Sequence, residues 1–424
     1  MKIFFSVGEP SGDLHGANLI KELRRQSPGI ACVGYGGPRM AAAGCRLHAD
    51  LTQLAVMWFL RVLLNLHHFW RLYRRAKRYF RDERPDAVVL IDYPGFNWWI
   101  ARSAKEYGIP VFYYGVPQMW AWAPWRVRKM RRLVDHVLCK LPFEADWFQT
   151  RNCRATYVGH PYFDEVQRQQ LDQAFLEDQA RRPGRLVTIL PGSRTQEVVK
   201  NLASFLQAAC EIRHRIPDVR FAIASFNEKQ AAMAREQVAA LDLPVDVFAG
   251  RTPELIRLAR CCLACSGSVS LELLYHVKPT VVLYRVSWFA YTVARNLFIK
   301  VKFITLVNLL AADDPFLRRG ARYDPHAACD EDVPFPEHLT YQDRTQQMAD
   351  QIAAWLSDES RFEQRVHQLQ ELRQRHASGG ASSRAAGYIL RHLCRDMPPL
   401  SGPHFDLAKT HSSDKQRVKN EKSA

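Results

Sequence analysis

The apolar run Val88-Val89-Leu90-Ile91 ends in a carboxylate, Asp92, and the chain then turns through Pro94 and Gly95. A short, wholly apolar run of this kind marks a strand buried on both faces of a parallel sheet. The residue at the C-terminal end of such a strand faces the ligand crevice of an open α/β sheet, so Asp92 either acts on a bound molecule or caps the next helix. Three further turns raise the same question. In "ILPGSRTQEV", Gly192 permits close backbone approach, Ser193 follows, and Arg194 has the fork geometry to neutralise a diphosphate. In "CSGSVSLELL", Ser266, Gly267 and Ser268 precede a helix with Glu272 one turn in. Free N–H groups and small hydroxyls at a helix start hold phosphate, and a first-turn carboxylate can chelate ribose hydroxyls, although an ordinary N-cap would look the same. In "SVGEPSGDLHGANL", glycines surround Glu9, Ser11, Gly12 and Asp13 without GxGxxG or GK[ST] spacing. Acids there repel phosphate, so the loop suits sugar hydroxyls; a Gly-rich turn with an Asp cap is the plainer alternative.

The elements that must carry these turns alternate. "KIFFSV", a helix from about residue 16 to 26, "ACVGYG", a long helical stretch, "AVVLI", "PVFYYG", "HVLCKL" and "ATYVGH" succeed one another, and "LVTILPGSR", "RFAIASF", "VDVFAG", "CCLACSGS" and "TVVLYRV" repeat the pattern. Such alternation predicts α/β architecture: two doubly wound, Rossmann-like domains facing a cleft. We expect an N-terminal domain over 1–166, a linker over 167–185, a nucleotide-side domain over 186–344 with an irregular insertion at 311–340, helices over 345–397 and a disordered polar tail over 398–424.

At 424 residues the chain exceeds one core, and 47% hydrophobic with 24% charged residues is globular composition. No run approaches the ~20 apolar residues of a membrane span, and "MKIFFSV" meets Gly8 and Glu9 too early for a signal peptide, which points to the cytoplasm. Ten cysteines lack a framework, in keeping with a reducing compartment. Cys262 and Cys265 have redox spacing but sit in an apolar run with no second pair, so packing is expected and no metal site.

A net charge of +16 implies a polyanionic partner, either nucleic acid or anionic lipid. Two stretches mix cations with aromatics. One has Phe59, Val62, Leu63, Leu66, Phe69, Trp70, Tyr73 and Phe80 at helical spacing, with Arg71, Arg74, Arg75, Arg78 and Arg81 around them; the other has Trp288, Phe289, Tyr291, Phe298 and Phe303 with Arg285, Arg295, Lys300 and Lys302. Most of each stripe is expected to pack on the protein's own sheet. The rims, Arg71, Arg74, Arg75, Trp288, Phe289, Lys300 and Lys302, are expected to meet an anionic membrane. Cations beside apolar stripes, with no recognition motif, argue against nucleic acid.

Ten segments in order, "GEPSGDLHGANL", "GGPRMAAAGC", "LAVM", "IDYPGFN", "QMWAWAPWRVRKM", "LPFE", "YVGHP", "LPGSRTQEV", "SGSVSLE" and "VNLLA", make the sequence resemble the lipid-A-disaccharide synthase family (glycosyltransferase family 19) from Met1 to about Ala311. The resemblance implies a B-type (GT-B) glycosyltransferase fold and a metal-independent, inverting transfer of 2,3-diacylglucosamine from UDP to the 6-hydroxyl of 2,3-diacylglucosamine 1-phosphate. The UDP-sugar is then a substrate, and no cofactor is expected. It further implies Asp92 as general base, Arg194 as diphosphate ligand, Glu272 as ribose ligand and Asn308 as a polar residue near the donor. It places the chain on the cytoplasmic face of the inner membrane, with a homodimer possible. Trp58 stands where the family usually has Gly, Gly95 replaces a second acid, and an insertion displaces the Pro-Glu segment after "NLLA". Other readings are an epimerase or different UDP-sugar transferase of the same fold, and a non-catalytic relative that binds lipid or nucleic acid.

Overall fold

The first sheet is built outward from Lys2–Val7 (β1), buried from Ile3 to Val7. Ala31–Gly36 (β2), Arg46–Asp50 (β3), Ala87–Ile91 (β4), Val111–Tyr114 (β5), His136–Cys139 (β6) and Ala155–Tyr157 (β7) complete it in the order β3-β2-β1-β4-β5-β6-β7, all parallel. The second sheet contains Arg185–Leu190 (β8), Val219–Ser225 (β9), Val245–Ala249 (β10), Cys261–Cys265 (β11), Thr280–Arg285 (β12) and Glu337–Thr340 (β13), in the order β10-β9-β8-β11-β12-β13 and again parallel. Parallel neighbours need helical crossovers that cover both faces, which is why β4 and β11 are apolar throughout instead of alternating. The computed structural model describes residues 1–52, 66–241, 243–294, 296, 299–316, 323 and 332–394. Trp58, Phe59, Val62, Leu63, Arg295, Phe298, most of the insertion and the tail expected over 398–424 lie outside them.

Two strands lack the apolar run that announces a strand. β3 is a half-exposed edge. β13 lies inside the segment expected to be irregular, and it is held by its ladder to β12 and by Glu337. That buried carboxylate accepts the N–H groups of Ile304 and Thr305 at 2.7 and 2.9 Å, capping the Leu306–Ala311 helix. The first helix starts at Pro10 and not near residue 16, since proline is tolerated where no intrahelical N–H is needed.

The crossing between domains is the helix Pro161–Arg168, followed within the expected linker by Gln173–Arg181. The C-terminal helices form but divide between the domains. Met348, Ile352 and Trp355 of Thr345–Ser357 pack in the core of the second sheet, whereas Ala385, Ile389 and Leu390 of Ala381–Leu393 return to the core of the first. Asp164 on the crossing helix fixes that return. Its buried carboxylate accepts the N–H groups of Gly380, Ala381 and Ser382 at 2.5, 3.1 and 2.9 Å. Replacing it strands three donors at a helix start, so Asp164→Ala should cost about 1–3 kcal/mol in urea unfolding and expose the 377–381 joint to limited proteolysis. Unchanged stability and cleavage would show that the last helix docks by its apolar face alone.

Candidate active site

In a doubly wound sheet a crevice opens where the strand order reverses, because the crossovers on either side leave in opposite directions. Here the reversals fall between β1 and β4 and between β8 and β11. Val7 pairs with Ile91, so the Gly8–Asp13 turn and Asp92 emerge side by side. Leu190 pairs with Ala264, which brings the Pro191–Arg194 turn beside Ser266–Ser268. The four turns marked by their chemistry therefore stand at two crevices. Glu9 links them: desolvation raises its carboxyl above the usual range, Asp92 adds to that, and Lys140 and, from the second domain, Arg194 oppose it.

At the first crevice the backbone is strained. Asp92 and Tyr93 both take left-handed conformations, φ 44° and 43°, each costing on the order of 1–3 kcal/mol in a non-glycine residue. The turn is over-determined: the Asp92 carbonyl accepts from Asn97 Nδ2 at 2.8 Å and from the Tyr113 hydroxyl at 2.6 Å. The Tyr93 ring lies so close over Gly8 that a Cβ there would meet it at 2.4 Å, so Gly8 must be glycine. The Asp92 carboxylate, 20% exposed, points into the crevice 3.5 Å from Lys140 Nζ. Gly12 runs beneath it, its Cβ position 3.8 Å from Asp92 Oδ2. Buried His15 lies on the same floor; burial lowers its pKa to about 4, and its Nδ1 has no hydrogen-bond partner. Glu9 and Ser11 are exposed at the mouth.

At the second crevice Glu272 is buried on the Val269–Tyr275 helix, and desolvation raises its carboxyl. Its oxygens accept from the Tyr162 hydroxyl at 2.9 Å and Gln169 Nε2 at 3.2 Å, both from the crossing between domains. Ser266 is partly open, Gly267 and Ser268 are exposed, and nothing lies within 4 Å of a Cβ at Gly267. Arg194 is 81% exposed, its guanidinium 3.0 Å from Glu197. Such an arrangement can take a diphosphate and a ribose on one side of a cleft and a hydroxyl nucleophile beside a carboxylate on the other.

Three expectations require correction. Asp13 does not face a sugar: its buried carboxylate accepts the N–H groups of Gly37, Arg39 and Met40 at 2.8, 3.0 and 3.1 Å, capping Pro38–Ala42. Asn308 is buried with its amide spent on the backbone of Phe335, at 2.7 and 2.9 Å, and on Glu337 at 3.0 Å, so it locks β13 in place. The N–H groups of Ser193 and Arg194, expected to be free, are occupied by Glu197 Oε2, both at 3.1 Å, and Gly192, at φ 131°, makes room for that same side chain. The sequence signal for this was an acid in the first turn of the Thr195–Arg215 helix, where a carboxylate can reach back to the free N–H groups. The sequence reading passed over it, and also over Lys140, which ends β6 as Asp92 ends β4, and Asn97. Tyr162 and Gln169 carried no local signal.

Cys262 and Cys265 lie three residues apart in one strand, so their side chains project from opposite faces, and Cys265 accepts from Asn201 Nδ2 at 3.2 Å. Among the described residues no three His, Cys, Asp or Glu side chains group as metal ligands, and no helix is long and apolar enough to cross a membrane. On the helix Leu66–Glu83, Phe69, Leu72, Tyr73, Ala76 and Phe80 face the core, while Trp70, Arg71, Arg74 and Arg75 are exposed, Arg75 donating to the His48 carbonyl at 2.7 Å. Trp288 and Phe289 are 61% and 70% exposed on Trp288–Val293, which buries no residue. Lys300 is exposed and Lys302 half-buried against the Phe303 ring. Trp122 and Trp125, also exposed, adjoin Ala121, whose carbonyl accepts the Lys300 N–H at 2.8 Å.

Residues 3–316 match the family described as Lipid-A-disaccharide synthetase. The chain is 33% identical over 396 residues to the lipid-A-disaccharide synthase of Geobacter metallireducens, covering 92% of this chain and 97% of that one. It is 34% identical over 392 residues to that of Anaeromyxobacter dehalogenans, with coverage of 92% and 97%. In fold it is similar to the UDP-GlcNAc 2-epimerase of Neisseria meningitidis bound to UDP-GlcNAc (TM-score 0.59, 13% identity, 93% and 100% of the two chains) and to the calicheamicin glycosyltransferase (TM-score 0.57, 16% identity, 94% and 99%). With the family matched over residues 3–316 and relatives above 30% identical along nearly their whole length, the chain belongs to the lipid-A-disaccharide synthase family.

Proposed function

We propose that the chain transfers 2,3-diacylglucosamine from its UDP conjugate to the 6-hydroxyl of 2,3-diacylglucosamine 1-phosphate, releasing UDP and inverting the anomeric centre. The observation that carries this reading is the pairing, in a member of this family, of a crevice carboxylate at one sheet's reversal with Arg194 and Glu272 at the other's. In it, Asp92 takes the proton of the acceptor hydroxyl as the oxygen bonds to the anomeric carbon and the bond to UDP breaks. Arg194 swings from Glu197 to neutralise the diphosphate as charge develops on it, so no metal is required. Glu272 exchanges Tyr162 and Gln169 for the ribose hydroxyls. Incubation of purified protein with both substrates should give a tetraacyl disaccharide 1-phosphate by mass spectrometry; an epimerised donor instead would favour the other reading of this fold.

The same proposal seats the chain on the cytoplasmic face of the inner membrane, where acylated substrates reside. Its support is the exposure of the rings Trp122, Trp125, Trp288 and Phe289, with Lys300 tied to Ala121 beside the first two, and of the cations Arg71 and Arg74 next to exposed Trp70.

Asp92→Asn should lower turnover by ~10²- to 10⁴-fold and leave UDP affinity near wild type, since the acid acts on the acceptor. Turnover within a few-fold of wild type would remove it from the mechanism. Arg194→Ala and Glu272→Gln should both weaken UDP in calorimetry, but the Arg194 loss should shrink as ionic strength rises while the Glu272 loss persists. Unchanged UDP affinity in both would contradict the assigned nucleotide site. Vesicles with anionic lipid should sediment the protein in low salt, at ~1 kcal/mol per well-placed cation, and Trp288→Ser with Phe289→Ser should weaken that without lowering Tm. If the double variant instead melts early and sediments normally, the two rings serve the fold.

A further inference from the structure

Lys140 is the residue that follows β6, and it is held there by its own backbone. Its N–H and that of Leu141 donate to Glu144 Oε2 at 3.0 and 3.1 Å, and Glu144 Oε1 accepts from Trp120 Nε1 at 2.8 Å. The side chain, 13% exposed, reaches back along the strand ends to place Nζ 3.5 Å from Asp92 Oδ1. Gly115, left-handed at φ 67° after β5, borders the pair: its Cβ position lies in ordinary contact, 3.6 Å from both Asp92 Oδ1 and Lys140 Nζ. An ion pair this secluded, at the carboxylate proposed to act as base, is a poor stability device, because desolvating two charges largely cancels their attraction.

The groups facing the pair explain its use. From the turn after β1 comes Glu9, a second carboxylate; from the first helix, His15; from β5, the Tyr113 and Tyr114 hydroxyls; from β6, the Cys139 thiol; from the Pro142–Gln149 helix, Glu144; and from the start of the crossing helix, His160. Arg194 looks in from the other domain. Both histidines are neutral at physiological pH: burial pulls His15 down to about 4 against the opposing charge of Asp92, and burial with the Lys140 ammonium pulls His160 well below the usual value. The lysine is not: burial pulls it down, but Asp92, Glu144 and Glu9 outweigh that and leave it above the ordinary value. Among the described groups of the first domain that face Asp92, Lys140 alone carries positive charge, against two crevice carboxylates.

We propose that Lys140 is a positioning residue of the transfer reaction, whose ammonium keeps Asp92 ionised and turned into the crevice so that the carboxylate is ready for the acceptor hydroxyl. The inference rests on the proposed role of Asp92 as base. The lysine keeps its own proton throughout: the acceptor proton passes to Asp92, the acceptor oxygen bonds to the anomeric carbon, and the electron pair of the broken bond leaves with UDP. Without the ammonium, Glu9 and Asp92 would face each other as like charges with no cation of the first domain beside them, and a close like charge opposes an ionised base.

The test is the pH dependence of kcat/KM for the acceptor in the full-length protein. Lys140→Met, which keeps length and removes charge, should move the acid limb of the profile to higher pH by about 1–3 units, the range for a carboxylate losing a close cation. Lys140→Gln, which can still donate a hydrogen bond, should move it similarly and provides the measurement if the methionine variant fails to fold. Lys140→Arg should restore the limb toward its wild-type position, and KM for the UDP donor should stay unchanged in all three. A rate reduced by one factor at every pH, or profiles that overlay the wild type, would overturn the inference and leave Lys140 a packing residue. The two proposals fail separately: an active Asp92→Asn variant removes the base itself, whereas an inactive one combined with an unmoved Lys140→Met profile removes only the lysine's part.

Discussion

The side-chain amide of Asn97 joins the ends of the two strands that define the first crevice, and the geometry of the crevice depends on that junction. Its Oδ1 accepts from the Ser6 hydroxyl at 2.6 Å, and its Nδ2 lies 3.2, 3.3 and 2.8 Å from the carbonyls of Ser6, Ile91 and Asp92. Carbonyls at the ends of adjacent parallel strands have lost their ladder partners, and burying them unsatisfied would cost about 1–3 kcal/mol each. One asparagine meets that need for both strands. It also holds the left-handed turn that aims Asp92 outward, so the energy of a satisfied strand end is what sustains a strained functional one.

The crossing helix Pro161–Arg168 plays the corresponding part between domains. Three consecutive residues on it serve three different neighbours: Tyr162 bonds Glu272 of the second domain, Phe163 enters the core, and Asp164 caps the last helix as it returns to the first. His160 opens the helix by accepting the Tyr162 N–H at 3.2 Å. A nucleotide that took Glu272 from Tyr162 and Gln169 would therefore act on the segment that joins the two halves.

The basic excess of the chain is spread unevenly in its consequences. Many of its arginines end in exposed ion pairs worth little, such as Arg81–Asp82 at 2.7 Å or Arg215–Asp350 at 2.6 Å. Others are fastened to backbone carbonyls, as Arg75 is to His48 and Arg213 is to Val219. What distinguishes the outer surface is that its largest exposed side chains are rings: Trp70 and Trp99 stand at either end of a row through Tyr73, with centroids 5.4 and 5.8 Å apart. Such rows are expensive to leave in water and inexpensive at a lipid boundary.

Local sequence determined the sheets. Apolar runs such as "AVVLI" and "CCLAC" can be satisfied only by burial on both faces, which forces parallel pairing and helical crossovers, and chemistry-bearing residues directly after those runs must then stand at the C-terminal rim; Asp92, Arg194 and Ser266–Ser268 were placed on that ground, and the structure puts them there. Tertiary structure decided what each side chain does once it arrives. Asp13, Asn308 and Glu197 are the same kind of polar residue as Asp92 and Glu272, but their oxygens and amide meet backbone groups brought in from elsewhere, the strand-end turn at Gly37, the backbone at Phe335 and the turn at Ser193. β13 pairs with β12 although its own residues lack an apolar run, and its buried Glu337 caps a helix through Thr305, 32 residues earlier in the chain. A hydrogen bond to a buried backbone group is as satisfying to a carboxylate as one to a substrate, and only the folded chain shows which of the two is within reach.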